Sequence, residues 1–523
     1  MVFISAGFAI FFFVTLAAYY LLPGSTQWVV LLIASMVFYL LAGTPFTIIY
    51  LLVSAVSVYY AARYIGQRVD NGNAHLSPCK LVYVLTVCLN VGMLSSLKYM
   101  NFLTGNLNNV LELFGCPFFI PPVHWIASLG ISYYTLQVVG YLTDVYWGIA
   151  PAQRNLCKMA LFAGFFPQMV SGPISRYGFL ESTLYARHDF DYGKVCMGLQ
   201  RMLWGVLKKM VIADHLFPFT EMVFNDSGNY SGVFVWIGTL LYVLQIYADF
   251  SGCMDIALGA SECFGITLPE NFREPFASVT IQEFWQRWHI TLGLWLRDYI
   301  MYPILRSKLW TRLGKRMRVR LGKRLGKQIP TFLAMLVLWI LMGVWHGNGW
   351  KYVVEGFWFW LVIVCGQLLE PAFKLIRKDL HLHEENKVWT GFRRLRTLLV
   401  YSVGALFFKA QSTTEAFSMI RGSLSPSSIR TSVTVLISMI PTMQSEHDLI
   451  RLFVFNCFSV FLGFFIFWAV SRRKAKGAEI RREVASCPIV LRWALWIGLI
   501  VMIIIFGAYG PGYNASDFIY GGF

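Results

Sequence analysis

Charge is what this sequence has least of. Only 14% of its 523 residues are Asp, Glu, Lys or Arg, about half the share of an ordinary soluble domain, which excludes a string of water-exposed globular domains. The ten cysteines form no CxxC pair and no metal-like spacing. They read as small apolar core residues, with no zinc site or disulfide framework suggested and no metal expected. Also missing are GxxxxGK[ST], GxGxxG after a strand, the GxSxG elbow, HExxH and a His-x4-Asp pair. Chemistry carried by phosphate loops, dinucleotide folds, hydrolase elbows or zincin helices is therefore not indicated, and any reaction has to be built another way. At the N-terminus, MVFISAGFAIFFFVTLAAYYLLPG has no positive n-region and no small-residue cleavage pattern, so it reads as a first span that stays.

What fills the space is apolar. Hydrophobic residues make up 57% and aromatics 17%, in continuous runs rich in Leu, Ile, Val and Phe. Several runs approach the ~20 residues that cross a ~30 Å hydrocarbon core, and their continuity excludes the ~10-residue alternation of a barrel. The expected fold is all-α, a polytopic membrane protein of about eleven to twelve transmembrane helices. Expected spans are 3–22, 28–43, 46–62, 81–98, 124–145, 198–213, 232–250, 330–345, 352–369, 397–411, 450–470 and 493–508. Shorter apolar pieces near 159–172, 252–268 and 429–441 read as re-entrant or buried segments, tolerated only where protein or a cavity surrounds them. No linker divides the chain, so 1–523 is expected as one integral domain with a tail at 509–523.

A net charge of +17 would hint at nucleic acid in a soluble protein; here the positive-inside rule accounts for it, and no nucleic-acid partner is expected. Basic residues concentrate at 63–80, 306–327, 371–396 and 472–482, which places those loops in the cytoplasm. Alternating the spans then puts both termini outside, and the tail Tyr509–Phe523, with Asp517 as its one charged side chain, agrees. Loop 306–327 carries ten Lys/Arg and no acid, with RLGKR at 312–316 and 320–324. It is either an arm for an acidic carrier or nucleotide, or a topogenic loop lying on anionic lipid.

Of nine histidines, His75, His188, His381, His383 and His447 sit in polar stretches where solvation is the default. The pair at 381 and 383 followed by Glu384 and Glu385 is only loosely metal-like. His124 and His215 fall at span edges. Two others are unusual. His289 lies in EFWQRWHITLGLWLRDYI, an aromatic, amphipathic segment with Glu283 and Arg287 four apart, suited to the interface. His346 ends the run TFLAMLVLWILMGVW before GNGWKYVVEGFWFWLV begins the next span. Such an ionisable residue is expensive in a membrane and marks a functional site by default. It can serve as a neutral imidazole capping a helix carbonyl at a tight hairpin, or as a general base. Gly343, Gly347 and Gly349 favour close helix approach, and Asn348 could orient the ring.

Taken in order, LLIASMVFYLLAG (31–43), LKYMNFL (97–103), LGISYYTLQVVGYLTDVYWG (129–148), FFPQMVSGPISRY (165–177), YADFSGCMDIALG (247–259), ENFREPFASVTIQEFWQRWHITLGLWLRDY (270–299) and LMGVWHGNGW (341–350) resemble the membrane-bound O-acyltransferase family. Within it, they resemble the bacterial alginate O-acetyltransferase type, to which peptidoglycan O-acetyltransferases and teichoic acid D-alanyl transfer proteins are related. The resemblance implies re-entrant and interfacial helices around a central tunnel, and acyl transfer to a hydroxyl. Its GxWHG histidine is His346 and its FWxRWH histidine is His289.

By that resemblance, a cytoplasmic thioester or ester donor such as acetyl-CoA meets an acceptor sugar hydroxyl from the outer face, and His346 takes its proton. The Gly347–Gly349 backbone, Asn348 or His289 would face the oxyanion, with Asn348 and Trp345 binding substrate. His289 could instead shape the cytoplasmic mouth. Asp144, Arg176, Asp249, Ser251 and Asp255 line the tunnel or form buried structural pairs; Asp298 would pair with helical neighbours of Arg297 and Asp249 with an arginine. The ending SDFIYGGF resembles the FIYxxF-like termini of bacterial members. Tyr520 is expected either to accept the acyl group and pass it to an extracytoplasmic SGNH-type transferase, or to belong to a structural plug.

Implied partners are membrane lipid, the acyl donor and a cell-envelope or exported polysaccharide, with D-alanyl transfer to teichoic acid as the alternative. From a different class, a non-catalytic transporter or channel would show paired broken helices, and none is visible.

Overall fold

Apolar runs closed by glycine, proline and capping residues become helices throughout the computed structural model, which describes residues 2–69, 77–126, 128–226, 230, 232–383, 385–424 and 447–509. Among these residues regular structure is all helical, with a lone antiparallel bridge between Phe272 and Trp288. Among the described residues eight helical elements hold a stretch long and apolar enough to cross a membrane: Gly24–Ala42, Pro45–Val69, Ser77–Leu113, Val233–Cys263, Lys308–His346 (in its arm after Gly322), Trp350–Asp379, Val454–Lys474 and Ile489–Phe506. Each coincides with an expected span. The other expected spans fall short for visible reasons. Ala6–Leu21, Ile131–Tyr146 and Tyr192–Leu207 have 16 residues each, and Lys387–Lys409 opens with a basic first half. Helix Ile131–Tyr146 starts late because residues 117–126, with Pro121 and Pro122, form no helix and Gly130 turns the chain at φ +67.

Many apolar side chains on the spanning helices point outward, including Phe461, Phe465, Val490 and Ile504, all more than half exposed. In water that surface would aggregate; against lipid it costs nothing. The protein is a multi-pass, all-α membrane protein. Cys79, Cys253 and Cys263 are buried as expected, whereas Cys88, Cys116, Cys157 and Cys365 are exposed.

The described chain separates into two compact units. The first takes the residues up to Met202 and Cys253–Glu270. Its centre is Ile131–Tyr146, buried on nearly every side, against which Ile48–Val69 and Leu156–Gly164 pack. The apolar piece at 159–172 is two short buried helices, Leu156–Gly164 and Phe166–Met169. Gly198 and Gly259 bring two backbones together, since a Cβ on either would lie 2.5 Å from the other's carbonyl oxygen. Arg201 locks the same crossing, donating to Asp255 Oδ1 at 2.9 Å and bidentately to Glu270 at 2.8 and 2.6 Å.

The second unit holds Leu203–Gly252 and the chain from Asn271 onward. Leu207, Val211, Ile212, Leu216 and Ala248 form a core cluster covered by Val460, Phe467, Leu499, Ile503 and Phe506. At its edge the helix widens at Lys208–Ala213, where Asp214 N–H reaches back to the Lys209 carbonyl. That turn points Lys209 between Asp249 (2.6 Å) and Asp214 (2.8 Å), and Lys208 onto Ser251 (2.8 Å). The buried partner of Asp249 is thus a lysine and not the arginine expected.

Three sequence expectations change. The piece at 252–268 is no separate re-entrant segment: 233–263 is one 31-residue helix, because Gly252 sits within it without breaking it. The basic stretch 306–327 is not a loop but a helical hairpin that reverses at Gly322 (φ +77), tied by Trp310 Nε1–H donating to the Pro330 carbonyl at 2.9 Å. Asp298 meets Arg297 itself, at 2.9 Å. The piece at 429–441 lies outside the described residues.

Candidate functional site

The ENFREPF and FWQRWH segments build one corner of the site. Thr280 caps helix Ile281–Arg287 by accepting from Glu283 N–H (3.1 Å), while the Glu283 side chain reaches back to accept from Val279 N–H (2.9 Å), one residue before the cap. Glu283 also pairs with Arg287 at 2.7 Å. The helix stops at Trp288, and His289 takes φ +46, the left-handed region that costs a side-chain-bearing residue energy. Asn271 holds that turn: its carbonyl accepts from Ile290 N–H (3.1 Å), and its Oδ1 accepts from Thr291 N–H (3.0 Å) and Thr291 Oγ1–H (2.9 Å). The break re-aims the chain, so an aromatic segment that looked interfacial carries Trp288 and His289 into the interior, 2% and 1% exposed.

Helices Lys308–His346 and Trp350–Asp379 supply the other corner. They cross where a Cβ on Gly343 would lie 2.0 Å from the Tyr352 carbonyl oxygen, and one on Gly356 2.2 Å from that of Trp339. Glycine at this point lets backbone rest on backbone, the packing that membrane helices use where lipid removes the hydrophobic drive. The helix ends at His346, and Gly347 N–H donates to the Val344 carbonyl at 3.2 Å, so that N–H is already committed.

These corners bring the expected residues together. The Trp345 ring lies edge-on to both imidazoles, 5.4 Å from His289 and 5.5 Å from His346 by centroids. Phe250 closes the His289 side at 4.9 Å and Phe408 the His346 side at 5.3 Å. Burial, then the neighbouring His346, holds His289 well below the ordinary histidine range; a neutral ring there has one N–H to donate. Asn348 is exposed on the turn. Tyr520 lies outside the described residues.

One residue was passed over in the sequence. Glu355, in the apolar span after the hairpin, is 5% exposed, and its Oε2 lies 3.7 Å from His346 Nδ1. Its signal was available, since it is the lone carboxylate in WKYVVEGFWFWLV, and intramembrane ionisable residues are functional by default. Beside it, Lys351 Nζ donates to the Phe408 and Ala410 carbonyls at 3.0 and 2.6 Å, and Lys409 pairs with Glu221.

Two histidines read as peripheral are structural. His188, expected in solvent, is half-buried with Nε2 on the Thr183 carbonyl at 2.7 Å. His215 is buried, contacting Asn456 Oδ1 and the Phe506 carbonyl at 2.9 Å each.

An apolar helical bundle that sets two buried imidazoles around a tryptophan, one facing a carboxylate, can move a proton where water is scarce. The membrane-bound O-acyltransferase family model matches residues 150–316, and the chain belongs to that family: it is a membrane O-acyltransferase. Among curated relatives, the "Probable alginate O-acetylase AlgI" of Azotobacter vinelandii is 32% identical over 407 residues, covering 77% of this chain and 74% of its own. A peptidoglycan O-acetyltransferase of Helicobacter pylori is 27% identical over 418 residues, covering 75% and 72%. The teichoic acid D-alanyltransferase of Bacillus subtilis is 31% identical over 256 residues, covering 48% and 61%.

Proposed function

We propose that this O-acyltransferase takes an acetyl group from a cytoplasmic thioester, acetyl-CoA in the simplest case, and passes it across the cell membrane toward a hydroxyl of a cell-envelope or exported polysaccharide. The observation that carries the reading is His346, a buried imidazole at the end of an apolar helix with a carboxylate beside it. As the acceptor oxygen attacks the thioester carbonyl, His346 takes the hydroxyl proton; as the C–S bond breaks, the proton goes to the leaving sulfur. Trp345 shapes the wall of the acyl site, Asn348 meets substrate at the turn, and neutral His289 donates to the developing oxyanion. Acetyl is preferred to D-alanyl because the acetyl-transferring relatives match over far more of the chain.

The test is mass spectrometry of envelope glycans from cells with and without active protein, together with acetyl release from labelled acetyl-CoA by protein in liposomes. His346→Ala, at unchanged membrane level, loses both; normal acetylation would defeat the assignment. D-alanyl esters on teichoic acid in place of acetyl would move the reading to the alternative. Both termini are read as extracytoplasmic, and Tyr520 as the residue that carries acetyl to an SGNH-type transferase. Tyr520→Phe would then stop polysaccharide acetylation, and full transfer by that variant sinks the relay.

A further inference from the structure

We infer that Glu355 is the positioning residue for His346: a membrane-buried carboxylate that holds the imidazole with its proton on Nδ1, presents Nε2 as the base, and balances the imidazolium formed during transfer. The inference rests on His346 acting as general base. Three observations carry it. Glu355 Oε2 stands 3.7 Å from His346 Nδ1 with both side chains almost wholly buried, 7% and 4% exposed. That is too long for a hydrogen bond in the resting state but within the reach over which catalytic contacts tighten when substrate binds.

Of the nearby cations, Lys351 interacts with the Glu355 charge across space but donates its hydrogen bonds to the Phe408 and Ala410 carbonyls, and Lys409 meets Glu221. Among the described residues, titratable groups near the pair include Tyr352 on the same helix, Tyr242 on Val233–Cys263, and His289 beside His346. Finally, the placement is built: the Gly343 and Gly356 crossing brings the Glu355 turn against the helix that ends in His346.

A lone carboxylate in an apolar span costs several kcal/mol to keep unless it works or is paired. Next to an imidazole it fixes the tautomer and stabilises the cation, the division of labour of any base–orienter pair. In the transfer step the acceptor O–H breaks as its proton goes to Nε2, the O–C bond to the acetyl carbon forms, and the C–S bond breaks. The proton then leaves Nε2 for the thiolate. Glu355 exchanges no proton; it supplies the negative charge that makes the intermediate imidazolium neutral as a pair.

Removing the carboxylate leaves the imidazolium formed during transfer without its counter-charge, so the base weakens. The experiment measures acetyl transfer, as kcat and KM, by the full-length protein in liposomes for wild type, Glu355→Gln, Glu355→Asp, His346→Ala and the double variant His346→Ala/Glu355→Gln. Melting temperature and elution profile report folding.

Glu355→Gln is expected to lower kcat by about 10²-fold and keep KM for acetyl-CoA within about twofold. Glu355→Asp, which keeps the charge, recovers about tenfold, and the double variant is no slower than His346→Ala alone. Wild-type kcat in Glu355→Gln, no recovery in Glu355→Asp, or a double variant slower than His346→Ala would overturn the role of Glu355 while leaving the base intact. Activity retained by His346→Ala would overturn the base and Glu355 with it.

Discussion

Gly343→Ala adds one methyl group three residues before His346, at the tightest point of the helix crossing. The new Cβ would lie 2.0 Å from the Tyr352 carbonyl oxygen and 2.9 Å from its carbon. A side chain could swing away from such a clash; a carbonyl inside helix Trp350–Asp379 is held by its own hydrogen-bond ladder. Ordinary contact begins near 3.4 Å, so the two helices must part by about 1.4 Å. Overpacking of this kind costs about 1–3 kcal/mol. The functional effect is larger, because Glu355 rides on the displaced helix and a shift near 1 Å at a catalytic pair can cost about 10²-fold in rate. Turnover of acetyl-CoA in liposomes and the melting temperature in detergent are the two readouts. Gly349→Ala is the control: its Cβ would meet nothing nearer than 3.8 Å, the flexible Lys351 side chain, and near-wild-type values are expected. Wild-type turnover and melting in Gly343→Ala would refute the claim that backbone contact at this crossing sets the His346 geometry.

Other outcomes follow from the same contacts. Asn271→Ala removes the acceptor that holds Thr291 and the left-handed turn at His289; a loss of about 1–3 kcal/mol with a disproportionate drop in activity is expected, read by melting and turnover together. Lys209→Met takes away the cation shared by Asp249 and Asp214, a destabilisation of about 3–5 kcal/mol. Adding Asp249→Asn should restore part of the melting temperature, and no restoration would show that the pair is not the cause. Arg201→Lys keeps charge but not the fork to Glu270 and Asp255. Because a point charge cannot satisfy both carboxylates, it should destabilise rather than behave as wild type, measurable as earlier loss of monodisperse protein on heating.

The amino-acid sequence by itself determined that this chain lives in a membrane and where its main spans lie, and it singled out two histidines as candidates. Hydropathy over about 20 residues is a local property, and an ionisable group at the end of an apolar run is conspicuous without neighbours. The pair Glu283 and Arg287 was legible too, because helical i,i+4 spacing fixes it. What tertiary structure alone decided is which residues face one another. Glu355 sits only nine positions from His346, yet nothing in the order of residues says that the hairpin folds the two side chains together; the glycine crossing does. Lys209 likewise gained its carboxylates from a widened helical turn and from a helix distant in sequence, and the basic stretch at 306–327 became a hairpin because Gly322 could take a positive φ and Trp310 could reach Pro330. Composition reports the cost of leaving a group in water or in lipid, a sum over single residues. The site depends on distances between residues, and only packing sets those.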